Sequence, residues 1–340
     1  MRRMLPVVLL LSTAALAEPR APFVPGTGLG VFRRATPQSP CAGAPYRQFD
    51  FWLGQWAVEN PAGAFKATSR ILSDLDGCVV AEHYSPTGSP RGRSLNTYDS
   101  TTGRWHQTWV PAGGRPIRMD GALRPDGVMA LTGTRVPPAP FQDYGWVDAY
   151  TWTKVSSDQV VQAFTFDIFK IGFHLQGFLT YRRAAQLPAT VPATTTQCQA
   201  GGESGETRRL DFTLGHYTVR AENGLALAES EIALDPVLDG CLLEERLTTA
   251  KGYQALGWLY YDAVEDRFYR TVVDTEGNRL ELQGAISSGG FSMEGASTSD
   301  AGARLRLTWL PQSNGDLLQI WEALRDGAWT PVQTLTYARR

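Results

Sequence analysis

The sequence lacks any long apolar run beyond its first residues, and we therefore expect no transmembrane segment. No later stretch of the 340-residue chain approaches the minimum of a membrane helix, about 18 uninterrupted apolar residues. Outer-membrane pores are also built from alternating strands, but the alternating segments here are short for spanning. A face such as that of Arg304 and Arg306 would not form the apolar belt of such a pore.

The chain also lacks an excess of basic residues. It carries 32 lysines and arginines against 34 aspartates and glutamates, and its arginines form no cluster beyond isolated pairs. Nucleic-acid binders need a basic patch that neutralises phosphates. The composition therefore excludes nucleic acid as an expected partner.

Recognisable catalytic motifs are missing too. The segment 92–96 is the nearest match to the G-x-S-x-G motif of serine hydrolases, and it lacks the final glycine. No H-E-x-x-H or C-x-x-C motif occurs, so the sequence indicates neither a zinc protease nor a paired-cysteine metal or redox site. The chain has only four histidines, and we expect no metal site.

The N-terminal segment 1–17 is typical of a secretory signal peptide. Two arginines precede an apolar run over 5–11, and the small residues that end at Ala17 fit the cleavage rule. Cleavage after Ala17 would leave 30 basic and 34 acidic residues, because the removed segment holds two arginines and no acid. We expect a periplasmic or secreted protein, exported by the Sec or the twin-arginine route.

The chain contains two copies of one module. Residues 49–56 read FDFWLGQW and residues 210–217 read LDFTLGHY, and an LDGC tetrapeptide follows each octapeptide. The Pro/Ala/Thr-rich tract between the copies is typical of a linker. After the signal peptide, the predicted organisation is a flexible arm over 18–40, a first copy over 41–184, a linker over 185–197 and a second copy over 198–340.

The four cysteines fall at equivalent places in the two copies. An even number of cysteines in an exported chain predicts disulfides, although four cysteines allow three pairings. The repeat favours one of them, Cys41–Cys78 with Cys198–Cys241. Each bond would close a loop of about 40 residues and stabilise the fold by about 4 kcal/mol on the loop-entropy model. Four free buried thiols are the alternative.

Within each copy, apolar residues recur with a period of two, which predicts strands rather than helices. In one such segment Leu305, Leu307 and Trp309 share a face. Turn signals rich in Gly, Asn and Asp separate the segments. The pattern predicts an all-β protein of two tandem up-and-down antiparallel barrels with about ten strands each, because closure removes exposed strand edges.

The first copy resembles lipocalins and related calycin barrels. FDFWLGQW matches the Gly-x-Trp start of their first strand at Gly54 and Trp56, and LTYRR matches the late basic position that packs over the tryptophan, here Arg182 or Arg183. With LDGCxxxE and WHQxW, the pattern is similar to uncharacterised bacterial exported proteins with a lipocalin-like or DUF1579-like barrel. The resemblance implies that Trp56 plugs the closed end of the barrel.

The second copy departs from this pattern in its aromatic residues. It keeps the glycine as Gly215 but has Tyr217 in place of the tryptophan. We expect Gly54, Trp56, Gly215 and Tyr217 to be structural. Asp50 and Asp211 are expected to cap the short turns that precede the first strands.

The segment WHQTW at 105–109 is the main candidate for a ligand contact. On a strand, Trp105, Gln107 and Trp109 share one face and His106 lies on the other. If the tryptophans face the lumen, they would form the walls of a pocket for a flat apolar ligand, with Gln107 as its polar contact. If His106 faces inward, it would bind a ligand or a haem iron. The alternative is that the tryptophans are ordinary core and His106 meets solvent.

Polar residues found in only one copy are better functional candidates than those that both copies share. Glu82 and Glu245 are equivalent, so we favour a structural role for them, as inward acids or in ion pairs with arginines. The expected ligand-binding residues all belong to the first copy; they are His83, Asn96, Trp105, His106, Gln107, Trp109 and Arg118.

We predict an exported protein that binds a small hydrophobic or amphipathic molecule in the first barrel, because about ten strands enclose more volume than side chains easily fill. The second barrel would be a packed structural partner. One alternative is an isomerase, cyclase or hydratase that uses the lumen as a dry chamber, with Glu82 or His106 as general acid or base. Another is a module that binds envelope proteins through its outer surface. No cofactor is expected unless His106 holds a haem.

Overall fold

The computed structural model describes residues 39–340 apart from short gaps. The gaps are 114, 138–139, 141–142, 144, 169–171, 200–204, 222–229, 251, 288–289 and 298–303. The predicted signal peptide and almost all of the predicted arm lie outside the described residues. Within the described part of the chain, no helix is long and apolar enough to cross a membrane.

The chain forms two closed antiparallel barrels of ten strands each, which confirms the predicted all-β fold. In each barrel every strand pairs with its neighbours in sequence, and the first strand closes on the tenth. The strands of the first barrel are β1 (Gly54–Glu59), β2 (Phe65–Asp74), β3 (Val79–Pro86), β4 (Gly92–Asp99), β5 (Arg104–Pro111), β6 (Ile117–Leu123), β7 (Met129–Arg135), β8 (Trp146–Lys154), β9 (Gln159–Ile168) and β10 (Phe173–Arg183). Those of the second are β11 (Gly215–Ala221), β12 (Ser230–Val237), β13 (Leu242–Thr248), β14 (Gln254–Asp262), β15 (Arg267–Asp274), β16 (Arg279–Ser287), β17 (Gly290–Ser297), β18 (Arg304–Pro311), β19 (Leu317–Arg325) and β20 (Ala328–Arg339).

Short 3-10 helices stand before the first strand of each barrel and at each LDG turn. Their bounds are Pro40–Ala42, Ala44–Arg47, Asp50–Trp52, Leu75–Gly77, Gly205–Thr213 and Leu238–Gly240. The expectation that Asp50 and Asp211 cap these turns is wrong. Both aspartates lie inside a helix rather than at its N-cap, and each forms an ion pair instead, Asp50 with Arg47 at 3.5 Å and Asp211 with Arg208 at 2.7 Å.

A cation packs over the first-strand aromatic residue in each barrel. The Arg183 guanidinium lies 4.3 Å from the Trp56 ring centre, so Arg183 rather than Arg182 holds the late basic position. Gly54 has a φ of 135°, and a Cβ there would lie 2.2 Å from the Arg183 Nη1 atom. The positive φ, more than the contact with the movable guanidinium, requires glycine at this position.

The second barrel repeats this arrangement with different residues. Arg339 lies 5.2 Å from the Tyr217 ring centre and donates a hydrogen bond of 3.0 Å to its hydroxyl. Gly215 has a φ of 146°. Tyr217 is fully buried, so it occupies the place that Trp56 has in the first barrel.

Both disulfides are formed as the repeat predicts. Cys41 is joined to Cys78 and Cys198 to Cys241. Each second cysteine follows an LDG turn in which the leucine and the aspartate both have φ between 48° and 57°. Non-glycine residues rarely adopt this left-handed region, and the same unusual backbone therefore underlies the LDGC motif in both copies.

The barrels pack against each other through outward-facing side chains. The shared apolar core of this contact includes Cys41, Cys78, Val79, Ala81, Leu95, Val110, Cys198, Cys241, Leu242, Leu256, Trp258 and Tyr260. Around it, ion pairs between described residues join the barrels, namely Arg91–Asp239 at 2.6 Å, Arg93–Glu244 at 2.9 Å, Arg118–Glu265 at 3.0 Å and Arg246–Asp74 at 3.0 Å. A buried apolar contact of this kind holds the two barrels as neighbours.

Candidate functional site

The lumen face of β5 carries Trp105, Gln107 and Trp109. Side chains alternate between the two faces of a strand, and Trp105 belongs to the core inside the first barrel. Val110, on the opposite face, packs in the contact with the second barrel. His106 shares the outward face with Val110.

The expected ligand-binding residues therefore divide into two groups. Asn96, Trp105, Gln107 and Trp109 face the first lumen, as the cross-strand pairs of β4 with β5 require. His83, His106 and Arg118 face outward. A molecule bound in the lumen would contact the first group and not the second.

The outward group takes part in contacts of the barrel wall and of the junction between barrels. His106 Nδ1 is hydrogen-bonded to Asp120, and its Nε2 lies 3.8 Å from Asp99 Oδ2. The Arg118 guanidinium lies 3.6 Å from the ring centre of Tyr269 in the second barrel. His83 stands next to Arg93 on the strand face that meets the second barrel, where burial and Arg93 lower its pKa.

The positions of the histidines test whether one of them could hold a haem in the lumen, and whether Glu82 and His106 could act together as acid and base. All four histidines of the chain are described, and none enters a lumen: His174 alternates with lumen-facing residues of β10, and His216 flanks buried Tyr217. The residues therefore do not fit a haem held by histidine in the lumen.

Glu82 and His106 lie on opposite faces of the barrel wall and cannot act together on one lumen substrate. Among the described residues, no three His, Cys, Asp or Glu side chains are grouped so that they could hold a metal ion.

Glu82 lies at the centre of a buried polar cluster inside the first barrel. It is 3% exposed and accepts hydrogen bonds from Ser69 Oγ at 2.8 Å, Ser94 Oγ at 3.3 Å and the Tyr181 hydroxyl at 3.3 Å. In the part of the chain that the structure describes, no lysine or arginine forms an ion pair with it. Burial outweighs the three hydrogen bonds and raises the pKa of Glu82 to about 7.

Gln107 and Asn96 form a second layer of the cluster. Gln107 Nε2 donates to Asn96 Oδ1 at 2.6 Å. Asn96 Nδ2 donates to the Val80 carbonyl at 2.7 Å and to Ser94 Oγ at 2.9 Å. The Gln107 amide is therefore directed to Asn96 and does not reach the Glu82 carboxylate.

Aromatic side chains lie close to this cluster. Burial raises the pKa of the Tyr84 hydroxyl to about 12 with a further contribution from the Glu82 charge. The same two causes raise the pKa of Tyr181, and burial followed by the charges of Asp148 and Glu82 raises that of Tyr150. The Trp109 ring meets the Tyr84 ring edge-on, with centres 5.8 Å apart. Three tyrosines from different strands thus lie near enough to the carboxylate to feel its charge, and Trp109 packs on one of them.

The lumen continues from this cluster to an apolar mouth. The rings of Tyr150, Phe164 and Phe166 lie 5.3–5.9 Å from one another. Phe173 and Leu175, on the lumen side of β10, are 45% and 47% exposed. Among the described residues, apolar side chains on the lumen side of the first barrel therefore meet solvent at this end.

One ion pair lies at the mouth, and its two charges neutralise each other. Arg135 donates to both carboxylate oxygens of Asp148, at 2.6 and 2.7 Å, and Trp146 Nε1 donates to the same carboxylate at 3.1 Å. Bidentate geometry of this kind neutralises both charges. The mouth therefore presents no net charge from this pair.

The second barrel has the same strand register but a different interior. Glu245 is the counterpart of Glu82, and Arg270 is the counterpart of Gln107. Arg270 donates to the Glu245 carboxylate at 2.6, 2.8 and 3.1 Å. Its guanidinium lies 5.3 Å from the Trp309 ring centre and 5.8 Å from that of Trp321. The acid that is unpaired in the first lumen is thus neutralised inside the second.

Seven further lumen positions differ in the same direction. At these positions the first barrel has polar or aromatic side chains, and the second has glycine or buried aliphatic ones. The pairs are Ser69 and Ile232, Tyr84 and Leu247, Ser94 and Gly257, Asn96 and Leu259, Trp109 and Val272, Asp148 and Leu305, and Tyr150 and Leu307. One apolar cluster extends through the second lumen, and the first barrel has an apolar cluster of its own around Trp52 and Trp56.

Two grooves at the junction of the barrels are weaker candidates. Their volumes are about 410 and 590 Å³, and their walls are mostly polar. Arg91 and Arg93, which line the larger groove, already form ion pairs with Asp239 and Glu244. Their positive charges are therefore already paired in the contact between the barrels.

Sequence reasoning missed Ser69, Ser94, Tyr84, Tyr150 and Tyr181. These residues come from different strands, and as single letters they match ordinary positions of a sheet. The sequence did contain one usable pattern, since the alternation of side chains along β3 places Val80, Glu82 and Tyr84 on one face. The second copy has Gly257 where the first has Ser94, and this difference also indicated a special role for Ser94.

Comparisons with known proteins give only distant similarities. No protein-family model matches the chain, and no curated protein matches its sequence. A solved structure of a DUF3598-family protein of unknown function from Nostoc punctiforme is similar at 10% identity and a TM-score of 0.23, covering 88% of this chain and 100% of that one.

Two further solved structures are similar at the same low level. A tryptophan-to-alanine mutant of transferrin binding protein B from Haemophilus parasuis has 8% identity and a TM-score of 0.18, covering 73% of this chain and 65% of that one. The Myxococcus xanthus hemagglutinin in complex with mannopentaose has 13% identity and a TM-score of 0.14, covering 84% and 99%. TM-scores this low carry no conclusion about function. What the chain's own structure supports is a tandem pair of ten-strand barrels that fits a calycin-like fold.

Proposed function

We propose that the protein binds a small, largely apolar molecule with one polar end in the lumen of the first barrel. The apolar part would contact Tyr150, Phe164 and Phe166 near the mouth. The polar end would reach the buried cluster around Glu82. Pockets of this composition, mostly apolar with a few convergent polar groups, are typical of small-molecule sites.

The contrast between the two lumens is the observation that carries this proposal. Trp321 and Ala323, the counterparts of Phe164 and Phe166, are 0% and 4% exposed. In the first barrel the same positions are only partly buried, and Leu175 nearby is 47% exposed. Since the packed second barrel is an example of this scaffold filling its own lumen, an open first lumen favours a binding role.

A titration of the full-length protein with the apolar dye phenylnaphthylamine tests the proposal. We expect saturable binding, and we expect Leu175→Glu to weaken it about tenfold or more, because a charge at the mouth opposes entry of an apolar molecule. Leu72→Glu is the matched control, since Leu72 is also 47% exposed but lies on the outer face of β2. Absence of dye binding by the wild-type protein, or equal weakening by both variants, would contradict the proposal.

We also propose that binding takes place outside the cytoplasm. Two disulfides are typical of proteins that fold in oxidising compartments, and the segment 1–17 is typical of an export signal. N-terminal sequencing of the protein from periplasmic and culture fractions should give a chain that begins at Glu18. An uncleaved chain confined to the cytoplasmic fraction would contradict this localisation.

A further inference from the structure

We infer that the molecule bound in the first barrel carries a cationic group, an amine or a guanidinium, that pairs with Glu82. This inference rests on the proposed function and names the chemistry of the polar end of the ligand. It is carried by the contacts of Glu82, by those of its counterpart in the second barrel, and by the aromatic residues around both acids.

The second barrel contains the complete form of the arrangement. Its lumen holds a carboxylate, a guanidinium and two flanking indole rings, contributed by Glu245, Arg270, Trp309 and Trp321. The first barrel keeps the acid as Glu82 and the ring positions as Trp152 and Phe164. It lacks the guanidinium, because Gln107 replaces Arg270 and turns to Asn96.

Among the described residues, the first lumen therefore holds a buried acid without the cation that its counterpart in the second barrel has. Three hydroxyl groups donate to Glu82, so its oxygens are hydrogen-bonded, but hydroxyl groups carry no positive charge. A buried carboxylate without an opposite charge is costly. A ligand cation would supply the charge that Arg270 supplies to Glu245.

The surroundings of Glu82 favour a cation over other polar groups. Ring faces of tyrosine and tryptophan attract ammonium and guanidinium groups electrostatically, and Tyr84, Trp109 and Tyr150 lie on the side of the cluster towards the mouth. The Arg135–Asp148 pair at the mouth is neutral as a unit, so it does not repel a cation. An anionic ligand would be repelled by Glu82 whenever that residue is ionised.

The pairing should depend on pH through Glu82. The titratable groups that face it are Tyr84, Tyr150 and Tyr181, whose pKa values are all raised, so they stay neutral near neutral pH. Arg135 and Asp148 are charged groups on the same lumen face, and they act on Tyr150. Since the pKa of Glu82 is about 7, affinity for a cation should fall about tenfold for each pH unit well below that value and level off above it.

Three benzene derivatives of nearly equal shape form the test, with the full-length protein titrated calorimetrically at about pH 8. Benzamidine is cationic, benzamide is neutral and benzoate is anionic. We expect benzamidine to bind about tenfold or more tightly than benzamide, with benzoate weakest. Glu82→Gln should reduce benzamidine to the affinity of benzamide, whereas Glu59→Gln, which alters an ion pair with Arg182 on the outer face, should leave it unchanged.

A second variant keeps the inference testable if Glu82→Gln does not fold. Gln107→Arg copies the second barrel, so the new guanidinium should pair with Glu82, exclude benzamidine and raise the melting temperature. Unchanged benzamidine binding in folded Gln107→Arg would overturn the inference.

The phenylnaphthylamine titration separates the cationic ligand from the binding function itself. Dye binding without any preference for benzamidine over benzamide, or with a preference for benzoate, overturns the cationic ligand and leaves the binding function standing. Failure of the dye and of all three benzene derivatives overturns both.

Discussion

At the scale of single residues, the two lumen glutamates differ in what compensates their charge. Glu245 is held by Arg270, whereas Glu82 has three hydroxyl donors and a pKa of about 7. The sequence identified these acids as equivalent and suggested an inward acid or an ion pair with an arginine; the structure has one of each. Which face of each strand points inward was not predictable, because alternation defines two faces without saying which is buried.

Glu82 should make the stability of the protein depend on pH. Its pKa rises from 4.5 in the unfolded chain to about 7 in the folded one, so the folded state holds the proton more tightly. The free energy of unfolding should therefore fall as pH rises from about 4.5 to about 7 and be level above, with a total loss of at most about 3 kcal/mol. Denaturant unfolding of wild type and Glu82→Gln at about pH 4 and pH 8 should show the variant gaining relative stability at the higher pH. A difference between them that does not change with pH would contradict this.

Glu245→Gln should have the opposite effect. It leaves the Arg270 guanidinium buried without its counter-charge, and breaking a buried pair costs about 3–5 kcal/mol. Chemical denaturation at about pH 8 should show a clear loss of stability in Glu245→Gln and none in Glu82→Gln. Equal losses in the two variants would mean that the acids have the same role.

At the scale of elements, the period-two pattern predicted the strands and their antiparallel order. It did not predict the 3-10 helix Asp50–Trp52 before β1, whose residues are needed inside the barrel. Trp52 is fully buried and stacks on Phe49, with ring centres 5.1 Å apart. A short helix that buries aromatic residues has too few residues for a helical period to be visible in the sequence.

Substitution of Gly54, the first residue of β1, should lower the stability of the protein. Gly54→Ala would place a Cβ against Arg183 at a φ of 135°, and we expect a loss of about 2–3 kcal/mol. Gly63→Ala is the matched control, because its φ is also positive but nothing lies within 4 Å of the added Cβ; its cost should be about 1 kcal/mol. Thermal unfolding of both variants measures the difference, and equal losses would show that neither the φ of Gly54 nor its contact with Arg183 adds to the cost.

At the scale of the whole molecule, the two barrels share a core at their junction. The repeat predicted two similar barrels but not that they pack on each other, since outward apolar residues resemble lumen residues in the sequence. A signal existed in the unbroken apolar runs of β3 and β13, for example Val79–Ala81, where both faces are apolar. A strand that is apolar on both faces is buried on both.

This junction should make the two barrels unfold together. Trp258 is 1% exposed within the shared core, and Trp258→Ala should cost about 3–5 kcal/mol. Differential scanning calorimetry should show one transition in the wild-type protein, lowered or split in the variant. Leu72→Ala, on an exposed surface, should shift it little. Two separate wild-type transitions, with Trp258→Ala affecting neither, would contradict a shared core.

We propose that the first lumen is a binding site and that the second is filled by its own side chains. A crystal structure of the full-length protein soaked with phenylnaphthylamine tests this proposal directly. We expect density for the dye in the first barrel, between the mouth residues Tyr150 and Phe164 and the cluster around Glu82, and none in the second. Density in the second lumen, or only in the grooves between the barrels, would contradict it.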